Sequence, residues 1–129
     1  MSSKRVYIAG PFDKKEELRE IAEKVQQEGH SIASKWLWRD ETDMTLEEVA
    51  KVDIMDVAMC NVFVACTEPP GSGYSTGGRH FEAGWIYNAI RVEGQELYLL
   101  GPAENIFYNL PGWKKVDSIE DLLSRLRVG

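Results

Sequence analysis

Apolar positions along this chain alternate between short continuous runs and runs spaced three and four apart. The run from Arg5 to Ala9 predicts a first strand, broken at Gly10-Pro11, where neither residue favours continuing a regular element. Leu18, Ile21, Ala22 and Val25 fall at i, i+3, i+4 and i+7, which predicts an amphipathic crossover helix stopped by Gly29. Ser31 to Ala33 is a short second strand, followed by the aromatic loop Lys35-Trp36-Leu37-Trp38-Arg39. Thr45 as N-cap, with Glu48 closing a capping box, opens a second helix that reaches Met59. Asn61 to Cys66 reads as a buried strand. Thr67 to Thr76, with Pro69, Pro70, Gly71 and Gly73, is a loop leading into a third helix from Gly77 to Arg91, ended by Gly94. Leu97 to Leu100 is a further strand, Asn105 to Leu110 a helical turn before Pro111, and Ser118 to Arg127 a closing helix. Strands alternating with helices predict an α/β fold, a doubly wound and mainly parallel sheet flanked by helices.

A length of 129 residues suits one domain, 1–129, with a core of its own. With 43% hydrophobic and 28% charged residues the composition is that of a soluble globular chain. No apolar run is long enough to span a bilayer and the start MSSKRVYIAG has no signal-peptide core, so a cytoplasmic protein without membrane attachment is expected. The net charge of −6, with no lysine and arginine stripe, argues against polymeric nucleic acid but leaves room for a small anion in a locally basic pocket. Cys60 and Cys66 lack metal-ligand or CxxC spacing and read as buried reduced thiols, so no metal site is expected.

Two carboxylates sit where a surface residue would not. On the second helix Leu46, Val49, Ala50 and Val57 form the apolar stripe, with Asp53 near its centre and Asp56 at its edge. On the third, Trp85, Ile86 and Ala89 define the inward stripe, with Glu82 on the same line one turn earlier. Periodicity leaves two readings open: each carboxylate satisfies a backbone amide or an arginine, or both converge on one polar pocket. The segment GSGYSTGGRHFE favours the second, because its glycines and hydroxyls precede a helix N-terminus that can take a phosphate. One carboxylate to trap an oxocarbenium-like C1′ and another acid to handle the proton on a departing base is what N-glycoside cleavage needs, and it calls for no metal or organic cofactor.

The segments VYIAGPF, DIMDVAMCNVFVA and GGRHFEAGW, in this order and spacing, resemble the nucleoside 2-deoxyribosyltransferase family, including its relatives that hydrolyse 2′-deoxynucleoside 5′-monophosphates. The resemblance runs from Val6 to about Leu110. It implies that Glu82 is the nucleophile, that Tyr7 orients it, and that Asp53 lies near the sugar and leaving group. It also implies a site to which a neighbouring subunit lends a polar residue, for which Asn105 or Asn109 is the candidate. Thr76, after Ser75, stands six residues before Glu82, where base-exchanging members carry an aspartate. Hydroxyl residues there match the monophosphate-accepting relatives, and Asn61 replaces the aspartate usual at its strand start. The alternatives are a transferase exchanging bases between free deoxynucleosides and a non-catalytic nucleotide-binding module on the same scaffold.

The remaining candidates carry two readings each. By strand alternation Tyr7 faces away from Val6 and Ile8, which makes it core unless the family role applies. Trp36 or Trp38 can stack on a nucleobase or plug a hydrophobic contact. Gly10, Ser75, Thr76 and Gly78 belong to the substrate-binding set, with Arg79 as the cation for a 5′-phosphate and His80 as a surface residue. Val52, Met55 and Met59 form a second apolar line on the second helix, which predicts a homo-oligomer, a dimer or higher. The expected partner is a small-molecule nucleoside or nucleotide.

Overall fold

The computed structural model describes residues 3–68, 78–93 and 95–127. Five strands, β1 (Arg5–Ala9), β2 (Ser31–Ile32), β3 (Val62–Cys66), β4 (Glu96–Leu100) and β5 (Trp113–Val116), form one parallel sheet in the order β2-β1-β3-β4-β5. Helices α1 (Lys15–Gln27) and α4 (Ile119–Arg127) pack together, and α2 (Leu46–Met59) packs with α3 (Gly78–Glu93). This division follows from handedness. The chain steps one way from β1 to β2 and the other way from β2 to β3 and on to β4, so right-handed crossovers put α1 on one face and α2 and α3 on the opposite one. The strand order reverses between β1 and β3, and at such a switch point the carboxyl ends of the strands open a crevice.

Local chemistry sets the element boundaries. At α2 the Thr45 hydroxyl accepts from the Glu48 amide at 3.1 Å and the Glu48 carboxylate accepts from the Thr45 amide at 3.0 Å, the capping box expected there. β3 is buried along its whole length, as a central parallel strand must be, and its Phe63 ring stacks on Tyr7 with centroids 5.5 Å apart. Asn61, just before β3, accepts from the Arg5 amide at 2.8 Å and ties the start of β1 to its neighbour. Both cysteines are buried free thiols, and burial pushes each up to about 12.

Three expectations need correction. β5 was not expected: Lys114 and Lys115 at its centre hide the alternating pattern, and they suit an edge strand because exposed lysines discourage further pairing. The stripe on α2 is not core. Leu46 is 88% exposed, Val57 is the helix's one buried residue, and Leu46, Val49 and Ala50 line a cavity instead. On α3 the inward line runs through Arg79, Ala83 and Ile86 rather than Trp85, which is 40% exposed. Ile86 faces inward as expected, and Glu82 lines the cavity. Of the second line on α2, Met55 and Met59 are exposed and Val52 is half-buried. The loop positions Ser75 and Thr76, and Gly77 and Gly94 as helix boundaries, lie outside the described residues. Among the described residues no helix is long and apolar enough to cross a membrane.

The turns at the carboxyl ends of β3 and β4 are locked together at Gly101. Its φ is +125°, and a Cβ there would lie 2.5 Å from the Thr67 carbonyl oxygen, while the Thr67 hydroxyl donates to the Pro102 carbonyl at 2.5 Å. Gly101→Ala therefore meets both a left-handed backbone and fixed main chain, and is expected to cost on the order of 2–3 kcal/mol in urea denaturation. A loss under about 0.5 kcal/mol would show that these two turns move independently.

Candidate functional site

A cavity of about 700 Å³ opens at the β1/β3 switch point, within the range usual for small-molecule sites. Tyr7 from β1, Asp53 from α2, and Glu82 and Arg79 from α3 all contribute to its wall. Gly10 lines it as well: a Cβ there would lie 2.8 Å from a Leu18 methyl carbon and 3.3 Å from the Cys66 Cβ, so a larger residue would have to displace the Leu18 side chain. Trp36 lines it too. Its indole N–H donates to the Ile8 carbonyl at 3.0 Å and its ring stacks on Phe12 at 6.3 Å, which leaves a fixed aromatic wall.

A short hydrogen bond in the cavity joins strand to helix. The Tyr7 hydroxyl donates to Glu82 Oε2 at 2.5 Å. Burial pushes the Glu82 carboxyl up to about 7; the Tyr7 hydrogen bond opposes the rise, and the charges of Asp53 and Asp56 add to it. Burial and the neighbouring Glu82 drive the Tyr7 phenol far above its ordinary range, so it stays a donor. With Oε2 occupied, the other Glu82 oxygen is the one left for chemistry. Asp53 is half-buried, and its Oδ1 accepts from Arg39 Nη2 at 2.5 Å. Its carboxyl is raised by burial, with Arg39 acting against that rise.

Arg79 is less available than its position suggested. The side chain is 2% exposed, and both Nε, at 3.3 Å, and Nη2 donate to the Glu104 carboxylate. Glu104 also accepts from the Glu68 amide at 3.2 Å, so the start of α3 is bound to the turns after β3 and β4. His80 is half-buried rather than a free surface residue, with Nδ1 2.8 Å from the Tyr108 hydroxyl. Gly78 opens α3, as a helix N-terminus beside the cavity requires.

Asn105 and Asn109 do not reach this cavity within one chain. Asn105 caps a short 3-10 turn by accepting from the Phe107 amide at 3.0 Å and lines a separate pocket of about 160 Å³, while the Asn109 amide donates to the Ile106 carbonyl at 3.2 Å. Trp38 lies in a third cavity with Val52, Met55 and Arg39. Sequence reasoning missed Arg39 and Glu104 as partners of the site residues, as well as Phe12, Leu46 and Phe81 on the cavity wall. The one local signal was Phe12, in the turn that leaves β1.

No family model matches the sequence, and no curated protein matches it. Among solved structures the chain is similar to the CMP N-glycosidase BcmB from Clostridium botulinum, with a TM-score of 0.63 over 98% of this chain and 100% of that one, at 19% identity. At that identity the likeness establishes the fold, and this chain shares the doubly wound parallel α/β architecture of that N-glycosidase.

Proposed function

We propose that this protein is an N-glycosidase acting on nucleoside or deoxynucleoside 5′-monophosphates, with Glu82 as nucleophile. The observation that carries the reading is the Tyr7 hydrogen bond, which holds one oxygen of a buried, cavity-lining carboxylate and leaves the other to attack. In the first step that oxygen bonds to C1′, the C1′–N bond breaks with its electron pair going to the base, and Asp53 supplies the proton the base takes up. In the second step water bonds to C1′ and frees Glu82, and its proton returns to Asp53. The chemistry needs no cofactor. A base in place of water would make the same intermediate a transferase.

The substrate assignment draws on three supports. The fold relative acts on CMP, the cavity has the volume and aromatic wall a nucleotide requires, and α3 presents its N-terminus close to Glu82. Arg79, engaged by Glu104, would act as a shared charge and not as a free cation toward phosphate.

Incubating the protein with a panel of nucleosides and 5′-monophosphates, with and without an acceptor base, tests the reading by chromatography. Base release from monophosphates at least about tenfold faster than from nucleosides is expected, since charge-assisted hydrogen bonds favour the dianion. Equal rates would remove the phosphate from the proposal. Glu82→Gln should abolish release. With a good leaving base, whose departure needs no acid, kcat/KM of the native protein should fall about tenfold per pH unit below about 7 as the nucleophile gains its proton. Release that persists in Glu82→Gln would end the covalent mechanism.

The buried carboxylate also has a stability signature. Because the folded state holds the Glu82 proton up to about 7 and the unfolded chain releases it near the ordinary carboxyl value of 4.5, native stability falls as pH rises between those values and is level above them. Glu82→Gln lacks this loss. Its stability relative to the native protein should rise from pH 5 to pH 8 by up to about 3 kcal/mol, at ~1.4 kcal/mol per pKa unit. A gap that does not change with pH would mean that Glu82 ionises as freely in the fold as in the unfolded chain.

We also propose self-association through α2, on which Met55 and Met59 are 64% and 63% exposed beside half-buried Val52. Sedimentation at micromolar concentration should give a dimer or larger, and Met55→Glu should shift it toward monomer. A monomeric native protein would remove the need for a shared site.

A further inference from the structure

Arg39 stands behind Asp53, in a neighbouring cavity and not in the one that Asp53 lines. It serves more than one carboxylate. Its Nη2 lies 2.5 Å from Asp53 Oδ1 and 2.7 Å from Glu41 Oε2, its Nε donates to that same Glu41 oxygen at 3.1 Å, and its Nη1 is 3.8 Å from Asp56 Oδ2. That Asp56 oxygen is buried and makes no hydrogen bond among the described residues. An arginine devoted to one carboxylate through two N–H groups would hold it firmly ionised. Here the double contact goes to Glu41, and Asp53 receives a single bond.

Other charges meet Asp53 from each side. Asp56 lies one turn further along α2, and Lys35 from the turn after β2 is the cation that acts on it together with Arg39. Tyr7 from β1, Glu82 and Arg79 from α3, and Asp13 from the turn after β1 line the same cavity. Among the described residues, Arg39 is a cation bonded to Asp53, and Glu41 competes with Asp53 for it. Glu41 lines neither cavity; it acts on Asp53 by direct repulsion and by sharing Arg39.

We propose that the Arg39–Glu41 pair sets the proton affinity of Asp53. Arg39 fixes the carboxyl in place, and Glu41 draws off enough of the guanidinium charge for Asp53 to carry the proton a departing base needs. Both are positioning residues. The proposal rests on the glycosidic reading of Glu82 and Asp53 for its purpose, but not for its electrostatics. It predicts opposite effects from two single replacements. Arg39→Met removes the cation and raises the proton affinity of Asp53, whereas Glu41→Gln releases the cation to Asp53 and lowers it.

The test is a carbon-13 carboxylate titration of the full chain labelled at aspartate, with the Asp53 signal identified by its loss in Asp53→Asn. The midpoint should rise by about one pH unit in Arg39→Met and fall by about half a unit in Glu41→Gln, shifts typical of gaining or losing one charge partner. Because Glu41→Gln leaves Arg39 and Asp53 intact, its arm survives any loss of stability in Arg39→Met. In parallel, the turnover ratio of a poor to a good leaving base at pH 8 should move at least about threefold, upward in Arg39→Met and downward in Glu41→Gln. Midpoints that stay put or move in the same direction overturn the proposal, and diverging midpoints with an unchanged ratio overturn the proton-supply role. If no substrate turns over while the midpoints diverge, the tuning of Asp53 stands and the glycosidic reading is what has failed.

Discussion

A carboxylate pressed against the middle of a parallel sheet loses its water, and it can remain there only if the sheet itself provides a donor. Strand backbone cannot, because its N–H groups are spent on the ladder. The donor has to be a side chain from the central strands, and Tyr7 meets that need, its ring braced against Phe63 and its hydroxyl on Glu82. The arrangement depends on the strand order. With β1 and β3 as neighbours at the reversal point, Tyr7 stands beneath both α2 and α3, and the helices carrying Asp53 and Glu82 lie over one crevice.

The electrostatics around that crevice follow from the same constraint. The cavity wall is largely apolar, yet it carries Asp13, Asp53 and Glu82 with Arg79, and the two arginines nearby are already shared. Arg79 is joined to Glu104 and Arg39 to Glu41 and Asp53. Neither arginine is free to cancel the carboxylate beside it, and for that reason burial and mutual repulsion win, so that Asp53, Asp56 and Glu82 all shift upward. A carboxyl raised in this way keeps its proton to higher pH than one held in a fully paired salt bridge.

How much of this was legible in the sequence depends on whether the deciding interaction is local. β1, the α2 capping box and the stop after α1 are set by residues within four positions of one another, and all were expected where they occur. The α2 stripe was readable as apolar but not as cavity lining, since periodicity reports that a face avoids water without saying whether core or crevice covers it. Trp85 was misplaced because one residue turns a helix by about 100°. The pairings of Arg39 with Asp53 and Arg79 with Glu104 join residues 14 and 25 positions apart through rotamers, and no local pattern encodes them.

The same accounting makes α2 the least constrained part of the candidate site. Val57 is its one buried residue, and its inward apolar positions face the cavity. What holds Asp53 in position relative to Glu82 is therefore Val57, the capping box at one end of the helix, contact with α3, β1 and the turn after β2, and the Arg39 cluster. A helix held by so few packed side chains can shift at little cost. Covering Met55 and Met59 with a second copy of the chain would remove that freedom, since a displacement of α2 would then break an interface as well as an ion pair. Self-association through α2 would in this way be coupled to the placement of Asp53, and the geometry of the crevice would then depend on what lies against the outer face of that helix.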